Sequence, residues 1–178
     1  MRWKKKALRI LFADRGAEDD PVDAILDWID RDDDTRPYGA EYDFYEALPT
    51  PYAIKNSALD SLEELLLMPG MTPELFFGDP ELGQAPLTEL LTVHGHRRGR
   101  INANTAHPEL LVALSDAMGR PGLADIIVQA REELPFESVD DLRARGILET
   151  QGGGRSGRQR DMFMTQSRIF RLRGDGMI

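Results

Sequence analysis

Between Asp14 and Glu46 the chain carries 13 acidic and 3 basic residues, a local charge of −10. So dense a run of one sign resists collapse, because like charges a few ångströms apart repel and a buried carboxylate is costly without a partner. Such a segment stays in solvent, finds internal counter-charges, or holds a cation. The other residues sum to 18 acids and 19 bases, so the whole-chain charge of −9 describes one segment rather than the molecule. Five bases lie in the first nine residues, and six arginines with two acids lie in residues 151–178. This balance argues against a general nucleic-acid coat, which would be basic.

At 178 residues and 41% hydrophobic content the chain can build one large domain or two small ones with a real core. It has no cysteine, which excludes disulfides, thiolate zinc sites and cysteine nucleophiles. Purely apolar runs such as Leu65 to Met68 fall far short of the roughly 20 residues a bilayer-spanning helix needs. Met1 to Lys6 resembles the basic start of an export signal. The following apolar run is short and interrupted by Arg9, with no small-residue cleavage site after it. The better reading is a short amphipathic helix with Leu8, Leu11 and Phe12 on one face.

Helix signals then recur at short intervals. Asp20-Pro21 caps a helix in which Val22, Ile25, Leu26 and Ile29 follow helical spacing, ending near Asp30. Ser57 to Met68 reads as a second helix with Leu59, Leu62 and Leu66 inward and Leu65 as a further candidate for that face, and Thr72-Pro73 caps a third over 74–77. Residues 79–93 are ambiguous between loop, strand and helix. From Ile101 the pattern is helical: Asn104 or Thr105 caps a helix to Met118, and Pro121-Gly122 opens another through Glu133. Leu123, Ile126, Ile127, Ala130 and Leu134 form the stripe of that helix. Ser138 with Asp141 starts a short helix that Gly146 closes. Gly152 to Gly157 reads as flexible, and Arg168 to Leu172 as a strand.

The densest chemistry runs from Asp27 to Glu41. Aspartates leaving a helix, then a glycine turn and a glutamate, can bring oxygens to one point, and calcium takes six to eight such ligands. The spacing is not that of an EF-hand, and a solvated acidic loop without metal is the other reading. His94 and His96 sit among arginines that disfavour a metal cation, and no nucleophile, base and orienting group come together as a catalytic set. Ile101 to Leu114 with Ala124 to Leu142 resembles a small helix-hairpin-helix domain. The hairpin Ser115 to Gly122 lacks a tight glycine pair, however, and Asp116 would face a phosphate.

In order along the chain come Asp27-Trp28-Ile29-Asp30-Arg31-Asp32, Gly39-Ala40-Glu41, Pro51-Tyr52 with Asn56, Ser61 to Leu65, Gly70-Met71, Ile101 to Ala106, and Ser167 to Leu172. Together these segments resemble a minor pseudopilin of the type II secretion system, the general secretion pathway protein K family. The resemblance implies a mainly α fold: a SAM-like or helix-hairpin-helix-like helical domain with a remnant of an α+β pilin-like domain at the C-terminus. The divisions expected are a helical inserted domain with the acidic loop over 1–100, a helix-hairpin-helix-like segment over 101–150, and a Gly-rich linker with the last pilin-like strand over 151–178. It implies a non-enzymatic role at the pseudopilus tip on the periplasmic side of the inner membrane, with the minor pseudopilins I and J as partners. It also implies calcium in the acidic region, carried over to Asp30, Asp32, Asp34 and Glu41. Family members begin with a prepilin peptidase site and an apolar anchoring helix. Neither is recognisable in these residues, so a fragment or a short product is expected, with membrane contact only through an anchor absent from this chain. The alternative is a helix-hairpin-helix nucleic-acid-binding module resembling the competence DNA receptors, against which stand the hairpin with Asp116 and a second half of the chain that is not basic.

Overall fold

A computed structural model of the chain describes residues 2–96, 98–148 and 162–169. It is mainly helical and divides into two compact units, one formed by residues 1–93 and 107–124, the other by 94–106 and 125–178.

The first unit is built from short helices because prolines, glycines and, after α2, a run of aspartates interrupt the amphipathic runs. Helix α1 (Arg2–Asp14) buries Leu11 and Phe12 as its spacing predicts. Helix α2 (Pro21–Ile29) starts where Asp20 accepts from the Val22 N–H at 3.0 Å and stops at Asp30. Arg9 of α1 bonds to Asp20 and Asp23, so two of the excess acids are spent on holding α1 to α2. Helix α3 (Tyr42–Glu46) follows the acidic loop, and Tyr45 is fully buried.

The run expected as a helix over 57–68 is instead a 3₁₀ helix, Leu62–Leu67. Its N-terminus is a capping box made by Ser61 and Glu64. With three residues per turn, Leu62, Leu65 and Met68 fall on one side, and these are the residues buried. Leu59 and Leu66 are only partly covered. Helix α4 (Pro73–Phe77) forms on its Thr72 cap, and the ambiguous stretch resolves into a 3₁₀ turn, Pro80–Leu82, and a one-turn helix α5 (Leu87–Leu90).

Helix α6 (Pro108–Met118) packs along α1. Its cap is His107, not Asn104 or Thr105. The His107 imidazole accepts from the Glu109 N–H, and Pro108 fills the first helical position. Arg15, almost entirely buried, ties this unit together. Its guanidinium donates to Glu109 at 2.6 Å, to the Leu75 carbonyl at 2.9 Å, and to the Ala85 carbonyl.

In the second unit, strand β1 (Ile101–Asn102) pairs in parallel with β2 (Phe163–Met164), Ile101 opposite Phe163. The strand thus falls earlier than the Arg168 to Leu172 expected. Arg168 and Ile169 are not in a strand, and 170–172, like Gly152 to Gly157, lie outside the described residues. Asn104 is the hub. Its amide donates to the carbonyls of Phe136 (2.9 Å) and Thr165 (3.0 Å) and accepts from the Phe136 N–H (2.8 Å). The Ile101 to Ala106 motif is therefore a structural clasp, with Arg131 donating to the Ala103 and Ala106 carbonyls. Helix α7 (Leu123–Glu133) buries Leu123 and Ile127 but leaves Ile126 50% exposed, and Leu134, one residue past its end, is 60% exposed, so the five-residue stripe is narrower than its periodicity suggests. Helix α8 (Val139–Ala144) forms on the Ser138 cap as expected, with the Asp141 N–H donating to Ser138 Oγ at 3.1 Å.

Candidate functional site

The acidic loop is folded back on the last turn of α2 by one buried acid and one arginine. Asp27 has no exposure, accepts from the Arg36 backbone N–H at 3.1 Å, and also accepts from the Arg36 guanidinium. The same Arg36 nitrogen, Nη1, lies 2.6 Å from Asp30 Oδ2. The Gly39 N–H donates to the Arg36 carbonyl at 2.9 Å, and a Cβ at Gly39 would overlap the Asp27 carboxylate. That overlap is the reason glycine stands at this turn.

The chain beyond α3 closes the other side. The Ser57 N–H donates to the Trp28 carbonyl at 3.3 Å. Beside it Asn56 takes φ of 45°, a left-handed conformation that Asn tolerates better than most residues. Its Nδ2 donates to Asp33 Oδ1 at 3.4 Å, and its own Oδ1 is buried without a partner. Asp33, Thr35, Glu41, Asp43, Phe44 and Asn56 line a hollow of about 670 Å³.

Glu41 is the anomaly of this hollow. It is 4% exposed, and neither carboxylate oxygen has a hydrogen-bond partner. Burial, and then the charges of Asp27, Asp30, Asp33 and Asp32, push its carboxyl up to about 7. A carboxylate so placed takes a proton or acquires a cation. The free donors are all hard oxygens, a set that suits calcium or magnesium rather than a thiophilic metal.

The four expected ligands are placed differently from one another. Glu41 is buried and unpartnered, while Asp30 has one oxygen against Arg36 and Oδ1 buried without a partner. Asp32 and Asp34 are exposed, and Asp32 Oδ1 accepts from the Asp34 N–H at 3.2 Å. Among the described residues no three histidine or acidic side chains are already gathered as a metal cluster. Mutual repulsion spreads aspartates that share no counter-ion. Asp27, Asp33 and Asn56 were not singled out as site residues from sequence. Asp27 reads as one more acid on α2, and Asn56 reaches the loop only through a long-range closure.

Other candidates are structural. His96 Nδ1 accepts from the Arg98 N–H, and His107 is a helix cap. At the hairpin, Gly119 and Gly122 take φ of 68° and 83°. The surroundings are anionic there: burial first, and then Asp116 and Glu109, push the Asp14 carboxyl up. That setting opposes a phosphate. Among the described residues, no helix is long and apolar enough to cross a membrane.

Comparison with known proteins gives the fold and the family. The fold matches one chain in the crystal structure of the GspK-GspI-GspJ complex from the enterotoxigenic Escherichia coli type 2 secretion system. The TM-score is 0.59 at 18% identity, over 92% of this chain and 56% of that one. The class is therefore the mainly helical fold of a chain solved within a secretion-system assembly. Family models described as type II secretion system (T2SS), protein K match residues 3–77 and 101–162. Type II secretion system protein K of Pectobacterium carotovorum subsp. carotovorum is 35% identical over 153 residues, covering 82% of this chain and 44% of that protein. The Aeromonas hydrophila protein of the same description is 36% identical over 118 residues, 61% of this chain and 33% of its own length. The chain belongs to the type II secretion system protein K family, a family of minor pseudopilins. It spans less than half the length of these two relatives.

Proposed function

We propose that this chain is a non-enzymatic assembly component at the pseudopilus tip of the type II secretion system, working on the periplasmic side of the inner membrane with the minor pseudopilins I and J. The observation that carries the reading is the family match on both segments, 3–77 and 101–162, joined to a fold shared with a chain solved in a K-I-J complex. Its helical units are read as a SAM-like or helix-hairpin-helix-like insertion beside a pilin-like remnant. Co-purification tests the assembly: mixed at micromolar concentration with proteins I and J of the same system, the chain is expected to elute with them in size-exclusion chromatography. Separate elution at that concentration would sink the proposal.

The reading includes calcium in the acidic loop. Glu41 would hold it, with Asp30, Asp32 and Asp34 as further carboxylates and Asp33 and Asn56 on the same hollow. The support is the pair of unpartnered buried groups, Glu41 and the Asn56 oxygen, in a segment of excess acid. The ion would supply positive charge between the loop and the start of α3. Thermal melts in calcium and in chelator test this part, because a ligand held by the folded state alone raises its melting temperature. Identical melts would remove it.

A further inference from the structure

The acidic loop already contains a cation of its own. Arg36 Nη1 serves two carboxylates at once, Asp27 and Asp30. The two acids are not equivalent. Asp27 is completely buried and also holds the Arg36 backbone N–H, whereas the Asp30 side chain keeps 25% exposure and an oxygen with no partner. Arg36 itself is 30% exposed. Asp30 can therefore leave Arg36 while the Asp27–Arg36 pair stays closed, and the buried acid is never stranded. The Asp27 carboxylate on the same arginine nitrogen lies against Gly39, and Gly39 and Glu41 line one hollow, so the Asp27–Arg36–Asp30 group stands beside the place where a cation would be held.

We infer that Arg36 and an external cation are alternative partners of Asp30, so that Arg36 acts as a built-in competitor that sets how tightly the loop takes calcium. The inference rests on the calcium reading of the loop. Arg36 is a positioning residue: it touches no ligand and works by holding a carboxylate away from one. When a cation enters, the loop exchanges one counter-charge for another at Asp30, and Arg36 stays behind on Asp27. Without the cation, Arg36 keeps the acidic segment closed against its own repulsion.

Calcium titration calorimetry on the full chain at about 0.15 M salt tests this. Arg36→Gln should tighten calcium binding about tenfold, the equivalent of one lost competing ion pair of roughly 1.4 kcal/mol. Removing Arg36 alone strands Asp27, which is costly for a buried acid. The Asp27→Asn/Arg36→Gln pair removes one charge of each sign, leaves local net charge unchanged, and should show the same tightening. Arg31→Gln removes a neighbouring charge that does not touch Asp30 and should change affinity much less, because salt screens exposed charges. Adding Asp30→Asn to either Arg36 variant should cancel the gain.

Equal affinity in wild type and both Arg36 variants would overturn the inference while leaving the calcium reading intact. So would a gain in Arg31→Gln as large as in Arg36→Gln, which would mean through-space charge alone. Weaker binding in Arg36→Gln would also overturn it, showing that Arg36 orients Asp30 for the metal instead of withholding it. Absence of calcium binding in every variant would remove the calcium reading and this inference together. Binding in the Arg36 variants but not in wild type would support the competition and remove calcium from the unmodified chain.

Discussion

Two glutamates in the same unit, Glu41 and Glu64, show how one residue type is put to opposite uses. Glu64 starts the 3₁₀ helix and is fully partnered: it accepts from Lys55 at 2.7 Å, from the Trp28 indole at 3.1 Å, and from the Asp60 and Ser61 N–H groups at 2.7 and 3.2 Å. Burial alone would raise its carboxyl, but these donors hold it down to about 2. Glu41 has no such donors and is pushed up to about 7 by burial and by four aspartates. Trp28 lies between the two. It donates to Glu64 and stands edge-on to Tyr45, the α3 residue whose buried hydroxyl is also without a partner. A buried acid with every oxygen satisfied is architecture, and one with none is a site awaiting a proton or a cation.

The contrast breaks first at Glu64. Glu64→Ala strips four donors of their acceptor and should cost about 3–4 kcal/mol of stability in urea unfolding, chelator present. A loss below about 1 kcal/mol would show that the network is decorative. Next comes pH. Glu41 has a folded pKa near 7 against an ordinary 4.5, so between those values the folded state keeps a proton that the unfolded state has released. Metal-free stability should therefore fall as pH rises from about 5 to 8, by up to about 3 kcal/mol. Glu64 has the opposite sign: its stabilisation is present above about 4.5 and is lost as pH falls towards 2. A metal-free protein that is flat in melting temperature from pH 5 to 8 would contradict the placement of Glu41.

Glu41→Gln should flatten that slope and raise metal-free stability at pH 8 by about 2 kcal/mol, since a neutral amide does not repel the aspartates. The smallest effect is expected at Asp34, which is exposed. Asp34→Asn should stay within about 0.5 kcal/mol of wild type in chelator while reducing the calcium-induced rise in melting temperature. An unchanged rise would take Asp34 out of the ligand set.

Local chemistry made much of the fold legible in the sequence. Asp20-Pro21, Thr72-Pro73 and Ser138 each cap the helix expected, because a cap is decided within four residues. The His107-Pro108 start carries the same proline signal, but the Ile101 to Ala106 segment masks it with polar residues that serve as a clasp. The Leu62 to Met68 run has apolar residues at spacings compatible with both 3.0 and 3.6 residues per turn, and tertiary packing selects the first. Ile126 and Leu134 lie on the expected stripe yet outside, since periodicity gives an apolar face and not the width of what covers it.

The site was legible as an excess of acid and as a family resemblance, not as a geometry. Glu41 stood out as the glutamate after the glycine turn, and the resemblance put it in the ligand set. Its isolation depends on Asp27 being consumed by Arg36 and on Asn56 closing the hollow from 15 residues downstream, and neither long-range contact has a local signal.

The most direct test of the orphaned carboxylate as a cation site is a paired thermal melt at pH 8 of wild type and Glu41→Gln, each in millimolar calcium and in chelator. The expected result is a rise in melting temperature with calcium for wild type and none for Glu41→Gln, with the metal-free variant melting above metal-free wild type. Equal responses of the two proteins to calcium, or no response in wild type, would contradict it.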